Sequence, residues 1–135
     1  MMTPPTVLMV EDNPADVYLI SEAMRQHEVE VRVQVVSDGE SAIQYIQKEN
    51  DLPAVIVLDL NLPKRSGIQI LEAIRSRPNY RDVPVIVFTS SLSEHDHSRL
   101  GSLGVKACLL KSLDLDEFNR IGSVIKQVLS DSGRS

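Results

Sequence analysis

The stretch Val55-Ile56-Val57-Leu58-Asp59-Leu60-Asn61-Leu62-Pro63 is an apolar run of strand length that ends on a carboxylate. A strand without polar residues is typical of the interior of a parallel sheet, where helices cover both faces. Ligands of such sheets bind in the crevice beyond the carboxyl ends of the strands. Asp59 therefore occupies a position where an α/β protein is expected to carry a reactive group.

The size and charge of the chain exclude several classes of protein. Its 135 residues, 42% of them hydrophobic, suit one domain with one substantial core. The formal net charge is -5 and the basic residues are scattered, so neither nucleic acid nor a membrane surface is expected as a partner. No apolar run approaches the roughly 18 residues of a membrane span, and no secretion signal is evident. We therefore expect a cytoplasmic protein.

Two sequence textures alternate along the chain. Short β-branched runs predict five strands, and stretches with helical spacing predict five helices that alternate with them. Asn13-Pro14 is a start signal for the first helix, and Asp114 can cap the last. This alternation predicts an α/β fold with a parallel sheet and helices on both faces. The expected domain spans residues 6–130, with tails at 1–5 and 131–135; the expected strands are residues 6–10, 31–36, 54–58, 83–88 and 105–110.

Acidic side chains are predicted to meet at one edge of this sheet. Glu11-Asp12 follow the first strand and Asp59 follows the third. Carboxylates that lie so close raise one another's pKa unless a cation neutralises them. Mg²⁺ prefers oxygen ligands and commonly uses one or two carboxylates together with phosphate oxygens. The acids and the backbone carbonyl of Asn61 therefore predict a Mg²⁺ site with room for a phosphoryl group.

The remaining strand ends supply the other parts of a phosphoryl-transfer site. Thr89-Ser90 follow the fourth strand and Lys111 follows the fifth. Phosphoryl transfer requires an in-line nucleophile, a metal, and cationic or hydrogen-bonding groups for the equatorial oxygens. Asp59, the Mg²⁺ site, Lys111 and the hydroxyl of Thr89 fit these parts.

Five segments of the chain, taken together, resemble a known family. They are Val10-Glu11-Asp12-Asn13, Leu58-Asp59-Leu60-Asn61-Leu62-Pro63-Lys64, Gly67, Val87-Phe88-Thr89-Ser90 and Lys111. In type and order they are similar to the response-regulator receiver domain of bacterial two-component signalling. The segments at residues 11–16 and 77–84 further resemble single-domain regulators that partner phytochrome-type histidine kinases.

The resemblance implies a fold and a role for each site residue. The fold would be flavodoxin-like, a doubly wound (βα)5 sheet with strand order 2-1-3-4-5. Asp59 would be the phosphoacceptor, in a phosphorelay that begins at a partner histidine kinase. The implied Mg²⁺ ligands are Asp12, Asp59 and the Asn61 carbonyl, with Glu11 in the outer shell; the implied phosphoryl-contacting and switch residues are Thr89, Ser90 and Lys111.

The chain departs from the family's usual pattern at three positions. Ser112 replaces the proline that usually follows the lysine through a cis bond, so either Lys111-Ser112 is cis or the bond is trans and Lys111 points differently. Cys108 replaces a Tyr or Phe that swings inward when the threonine engages phosphate. A thiol cannot swing like a ring, so the output surface is expected to respond weakly or by another route. Ser66 replaces a common acidic residue outside the metal shell.

We predict a stand-alone receiver that is not an enzyme beyond its own phosphotransfer and slow loss of the phosphoryl group to water. An aspartate phosphatase is disfavoured because it needs a second acid where this chain has Asn61. A nucleotide-binding flavodoxin-like protein is disfavoured because Glu11-Asp12 would repel phosphate. A pseudo-receiver that acts as an unphosphorylated adaptor remains an alternative.

No output module is expected, so output is expected through protein contacts. The face of helix 4, strand 5 and helix 5 is the candidate surface for a homodimer, and we expect Leu100, Leu103, Leu113 and Leu115 to be partly exposed there.

Overall fold

A five-stranded parallel sheet forms the centre of the computed structural model, which describes residues 3–48 and 51–133. The strand order is β2-β1-β3-β4-β5, which confirms the predicted flavodoxin-like topology. All four pairs of neighbouring strands are parallel. The strands are β1 (Thr6–Val10), β2 (Arg32–Val36), β3 (Val55–Leu58), β4 (Val85–Thr89) and β5 (Ala107–Leu110).

Helices connect consecutive strands and follow the last one. No helix among the described residues is long and apolar enough to cross a membrane. The last predicted helix is interrupted at Asn119, and its second part continues to Gly133, past the boundary at residue 130 proposed above. Residues 1, 2, 134 and 135 of the proposed tails lie outside the described residues. The helices are α1 (Pro14–Gln26), α2 (Gly39–Gln47), α3 (Gly67–Ser76), α4 (Glu94–Ser102), α5 (Leu115–Phe118) and α6 (Arg120–Gly133), with a 3₁₀ turn at Pro78–Tyr80.

The central strands supply both halves of the core. Successive side chains of a strand point to opposite faces, so an entirely apolar strand packs against helices on each side. In β3, Ile56 and Leu58 pack on the side of α2, α3 and α4, whereas Val55 and Val57 pack on the side of α1, α5 and α6. All four residues of β3 are buried. Both halves of this core hold the sheet edge that carries the polar residues in a fixed position.

Candidate functional site

The register of the sheet brings the predicted acids to one level. Val10 of β1 pairs with Leu58 of β3, so Glu11 and Asp59 each occupy the first position after their strand. The backbone N–H of Asp59 donates to the carbonyl of Val10 at 3.0 Å, which extends the ladder by one bond. Glu11 and Asp59 are 3% and 5% exposed, so both acidic side chains are buried.

Both carboxylate oxygens of Asp59 have a partner. Its Oδ1 accepts a hydrogen bond from the backbone N–H of Asn61 at 3.0 Å. Its Oδ2 accepts one from Nζ of Lys111 at 2.9 Å. These two bonds fix the plane of the carboxylate and leave one of its oxygens beside a cation, an arrangement that can stabilise negative charge on a group attached there.

Glu11, Asp12 and Asp59, here called the acidic trio, can hold a divalent cation. One oxygen of each lies within 4.8 Å of the others. Burial, with a smaller contribution from the charge of Asp59, raises the pKa of Glu11 to about 7, although Lys111 acts in the opposite direction. Asp12 is exposed, so an ion can reach the trio from solvent. Crowded hard oxygen donors with one open side fit an ion such as Mg²⁺ or Mn²⁺.

Lys111 is the cation of the site and contacts three carboxylates. Its Nζ donates to Glu11 Oε1 at 2.7 Å, to Asp16 Oδ2 at 2.8 Å and to Asp59 Oδ2 at 2.9 Å. Burial alone would lower the pKa of the amine, but the hydrogen bonds to Asp16, Glu11 and Asp59 outweigh burial and hold it above its ordinary value. Lys111 is therefore charged at neutral pH.

The backbone reaches this geometry through a trans bond. No cis peptide bond occurs among the described residues, so the bond from Lys111 to Ser112 is trans, yet the amine still points at Asp59. The sequence left two alternatives, a cis bond or a trans bond with Lys111 pointing elsewhere. The structure matches neither in full, because the bond is trans and the amine still reaches Asp59. The backbone N–H of Lys111 donates to the carbonyl of Thr89 at 2.8 Å, which fixes where the side chain starts.

Asp16 completes the set of lysine partners, and sequence reasoning missed it. It lies in the first turn of α1, whose N-cap Asn13 accepts from the backbone N–H of Ala15 at 2.9 Å. A signal existed in the motif that runs from Glu11 to Asp16, but nothing in the spacing alone says that Asp16 turns toward the end of β5.

A hydroxyl network lies on the other side of Asp59. Nδ2 of Asn61 donates to Oγ1 of Thr89 at 3.0 Å and approaches Oγ of Ser91 at 3.4 Å. Thr89 is fully buried. The side chain of Ser90 is exposed and hydrogen bonds to none of the described site residues, so Ser91 rather than Ser90 joins this network.

Of the four leucines expected to be partly exposed on the output face, Leu103, Leu113 and Leu115 are, and Leu100 is not. Leu100 is 2% exposed and packs in the core because it is the one large apolar residue of α4. The expectation that Leu100 would be partly exposed was therefore wrong. Three leucines, here called the leucine patch, are strongly exposed at the end of β5 and the start of α5: Leu110, Leu113 and Leu115.

Cys108 lies in β5, two residues before Leu110 of the leucine patch and three before Lys111. Its register partner is Val87 of β4, and the half-buried side chain packs against the core on the side of α2, α3 and α4. Burial raises the pKa of the thiol above its ordinary value. The thiol is therefore a poor nucleophile at neutral pH.

Comparisons with known proteins agree with this fold and site. The sequence pattern of the response regulator receiver domain matches residues 7–121. The response regulator Rcp1 of Synechocystis sp. is 33% identical over 119 residues, which are 84% of this chain and 81% of Rcp1. The crystal structure of the phosphorylated cyanobacterial phytochrome response regulator RcpA has a TM-score of 0.86 at 33% identity and covers 96% of each chain. The Mn²⁺-bound form of Rcp1 has a TM-score of 0.82 at 29% identity, over 98% of this chain and 96% of that one.

This chain belongs to the family of response regulator receiver domains. Its relatives Rcp1 and RcpA are little longer than the domain itself, and RcpA is described as a phytochrome response regulator. Receiver domains accept phosphoryl groups in two-component signalling and bind a divalent metal at their acidic pocket. The predicted family and fold are thus confirmed.

Proposed function

We propose that this protein is a single-domain response regulator that accepts a phosphoryl group on Asp59 from a phosphohistidine of a partner histidine kinase. Asp59 Oδ2 attacks the phosphorus, the bond from phosphorus to the histidine nitrogen breaks, and the imidazole keeps the electron pair. The product is an acyl phosphate that water slowly hydrolyses. The observation that carries the proposal is the 2.9 Å contact between Asp59 Oδ2 and Lys111 Nζ within a buried acidic site.

The chain's own residues fit the Mg²⁺ that this transfer requires. Asp12, Asp59 and the backbone carbonyl of Asn61 are the proposed ligands, and Glu11 supports them from the outer shell. When bound, Mg²⁺ supplies positive charge to the carboxylates and to the phosphoryl oxygens. Lys111 stabilises the remaining charge. The Asn61 amide donates to the hydroxyl of Thr89 until a phosphoryl oxygen competes for that hydroxyl.

We propose that the signal leaves the site through Thr89 and Lys111 and through the loop that begins at Ser90. A phosphoryl group adds about -1.5 to -2 charge and new acceptor oxygens, which compete for the hydroxyl of Thr89 and the amine of Lys111. Thr89 now bonds with Asn61 and with the backbone of Ser91, so its movement would release the start of the loop that leads to α4. Because Cys108 has no ring to swing, we propose that this loop, rather than residue 108, carries the change outward.

The partners follow from the family and from the surface. The likeness to the phytochrome response regulator RcpA supports a sensor kinase of phytochrome type as the partner. We propose that both act in the cytoplasm. The leucine patch, at the end of β5 and the start of α5, supports a homodimer through the proposed face of α4, β5 and α5. Downstream output would be a protein contact.

The proposal is tested by incubating the protein with acetyl phosphate or phosphoramidate and Mg²⁺ and measuring its intact mass. We expect a gain of one phosphoryl group, absent in Asp59→Asn and absent when EDTA removes the metal. Asp82→Asn, a matched loss of one exposed carboxylate, should gain as much as the wild type. A wild-type protein that gains no mass, or gains it equally without Asp59, would overturn the proposal in favour of an unphosphorylated adaptor.

A further inference from the structure

Lys111 has one carboxylate partner that does not belong to the metal site. The acidic trio contains Glu11 and Asp59, both of which accept from the amine, but not Asp16. Oδ2 of Asp16 lies 2.8 Å from Nζ, as close as the trio's own oxygens, and the Asp16 side chain is 18% exposed. The carboxylate of Asp16 is thus committed to the lysine, in a setting that water only partly reaches.

The three partners are affected differently when the site is used. An ammonium group has three N–H donors, and here Glu11, Asp16 and Asp59 take one each. A divalent ion draws on the oxygens of the trio, and a phosphoryl group becomes bonded to an oxygen of Asp59. Both events weaken the hold of Glu11 and Asp59 on the amine, whereas Asp16 stands outside both.

We propose that Asp16 is a positioning residue that keeps the Lys111 amine beside Asp59 while metal and phosphoryl group occupy the other two carboxylates. The inference rests on the proposed phosphotransfer. Asp16 does not touch the reacting atoms; it acts through the lysine, as an anchor that is already in place when the phosphodonor arrives.

A purely local role for Asp16 is less consistent with the contacts. An aspartate in the first turn of a helix is often explained by the helix dipole or by capping. Here the capping hydrogen bond comes from Asn13, and the Asp16 side chain bonds instead to a lysine 95 positions away in sequence. Helix α1 gives this anchor a firm base, because Ile20, Ala23 and Met24 are buried in the core.

A negative charge at position 16 also repels an anionic phosphodonor, and this effect has the opposite sign. The charged amine of Lys111 lies against the Asp16 carboxylate and offsets its field, and salt screens what reaches the solvent. Positioning depends on a short contact and is screened far less. Two variants separate the effects: Asp16→Asn keeps an acceptor of the same shape without charge, and Asp16→Ala removes the acceptor altogether.

The first measurement follows the amine itself and needs no phosphorylation. The ¹⁵N-bound protons of a lysine ammonium are visible by NMR only when hydrogen bonds slow their exchange, and the Lys111 signal is assigned by its absence in Lys111→Arg. We expect the signal in wild type with and without saturating Mg²⁺, a weaker one in Asp16→Asn, and none in Asp16→Ala with Mg²⁺. A signal of equal strength in all three proteins with Mg²⁺ would overturn the proposal.

The second measurement is the rate of mass gain from phosphoramidate at saturating Mg²⁺ and at low and high salt. We expect Asp16→Ala to be slower than wild type by about tenfold, with Asp16→Asn between them, at both salt concentrations. Glu22→Gln removes one carboxylate from the same helix and should match wild type. Equal rates would show that Asp16 does not affect the transfer, and faster rates in both Asp16 variants would show charge repulsion instead; either result would overturn the proposal.

Failure of the proposed function gives a different result. If wild-type protein gains no phosphoryl group, the phosphoacceptor role fails, while the NMR signal still decides whether Asp16 holds the amine. Thermal melting of each variant shows whether its fold is retained. Asp16→Glu restores the charge one methylene further out, and it should recover part of the rate if positioning is the role.

Discussion

The site beyond β1 and β3 and the leucine patch beyond β5 depart from the usual distribution of residues in opposite directions. At the site, Glu11 and Asp59 carry acidic side chains and are no more than 5% exposed. In the patch, Leu113 is 103% exposed, and Leu110 and Leu115 are 60% and 64% exposed. Burying acidic side chains and exposing leucines both lower the stability of the folded state, so each arrangement needs a reason other than stability.

The two regions differ in how firmly the fold holds them. The buried acids are fixed by strand register, by the backbone bonds of Asp59 and Asn61, and by Lys111. The patch lies on the last residue of the edge strand β5, in a loop and at the start of a short helix. The acidic site thus follows the central strands, which the core holds on both sides. The leucine patch lies at the edge strand and the segment after it, where a change of conformation disturbs few core contacts.

The largest loss of stability is expected at Gly67, which packs against the backbone of Asp59 and Leu60. A Cβ at Gly67 would lie 2.4 Å from Leu60 Cα and 2.7 Å from the carbonyl oxygen of Asp59, both backbone atoms. Gly67→Ala should lower the free energy of unfolding by about 3 kcal/mol or more, because the backbone under Asp59 must move. Chemical denaturation measures this loss.

The control for that prediction is a glycine in an open setting. Nothing lies within 4 Å of a Cβ at Gly101 in α4, so Gly101→Ala should be neutral or stabilising by up to about 1 kcal/mol. Equal losses at both positions would mean that the site end of the sheet is no more rigid than the helical surface.

A smaller loss is expected when the site loses its cation. Lys111→Met leaves the carboxylates of Glu11, Asp16 and Asp59 without it, and we expect about 2 kcal/mol lower stability without metal, less than for a fully buried pair because Asp16 reaches solvent. Added Mg²⁺ should recover much of the loss. Lys106→Met, at an exposed position, is the control; a variant that is as stable as this control would contradict the assigned role of the amine.

Metal should stabilise the site without affecting the patch. A ligand at ten times its Kd raises the free energy of unfolding by about 1.4 kcal/mol, so Mg²⁺ should raise the melting temperature in a saturable way. Asp12→Asn should weaken this response, because Asp12 belongs to the acidic trio, whereas Glu117→Gln beside the patch should leave it unchanged. Identical titrations of all three proteins would argue against metal at the trio.

The patch should affect association more than stability. Leu113→Ser should change the free energy of unfolding by less than about 0.5 kcal/mol, because the side chain is fully exposed. If the patch forms the dimer face, sedimentation velocity should show weaker self-association than in wild type. Tyr18→Ser, an exposed aromatic on α1, is the control; equal association of all three proteins would remove the patch from the interface.

The smallest effect is expected at Cys108 in β5, the strand that leads to both regions. Its thiol has a folded-state pKa above the unfolded value, so the neutral form contributes stability that is present below the unfolded pKa of about 8.5 and is lost as pH rises through the folded value. Stability should therefore decline slightly more steeply above pH 8.5 in wild type than in Cys108→Ala. The opposite order in pH-dependent denaturation curves would contradict burial as the cause.

Strand-end chemistry was readable from the sequence because one rule connects it to space. An apolar run, a change of texture and a polar residue mark each strand end, and parallel strands bring those ends to one edge. Glu11, Asp59, Thr89 and Lys111 were placed together by that rule, and the sheet order agrees with the order that the family resemblance implied.

Side-chain direction was not readable in the same way. Leu100 was expected at the surface, but α4 buries it because no other large apolar residue of that helix can face the core. The Lys111-Ser112 bond had two open alternatives, and the trans form with an inward lysine depends on contacts from three other segments.

The sequence by itself determined the fold class, the family and the set of acids at the sheet edge, because these depend on local pattern and on the order of strands. Only the tertiary structure decided that Asp16 holds Lys111, that Ser91 rather than Ser90 meets Asn61, and that Leu110 is exposed. Those facts depend on how a helix, a loop and an edge strand are oriented in three dimensions. No spacing along the chain encodes such an orientation, since packing of the whole core sets it.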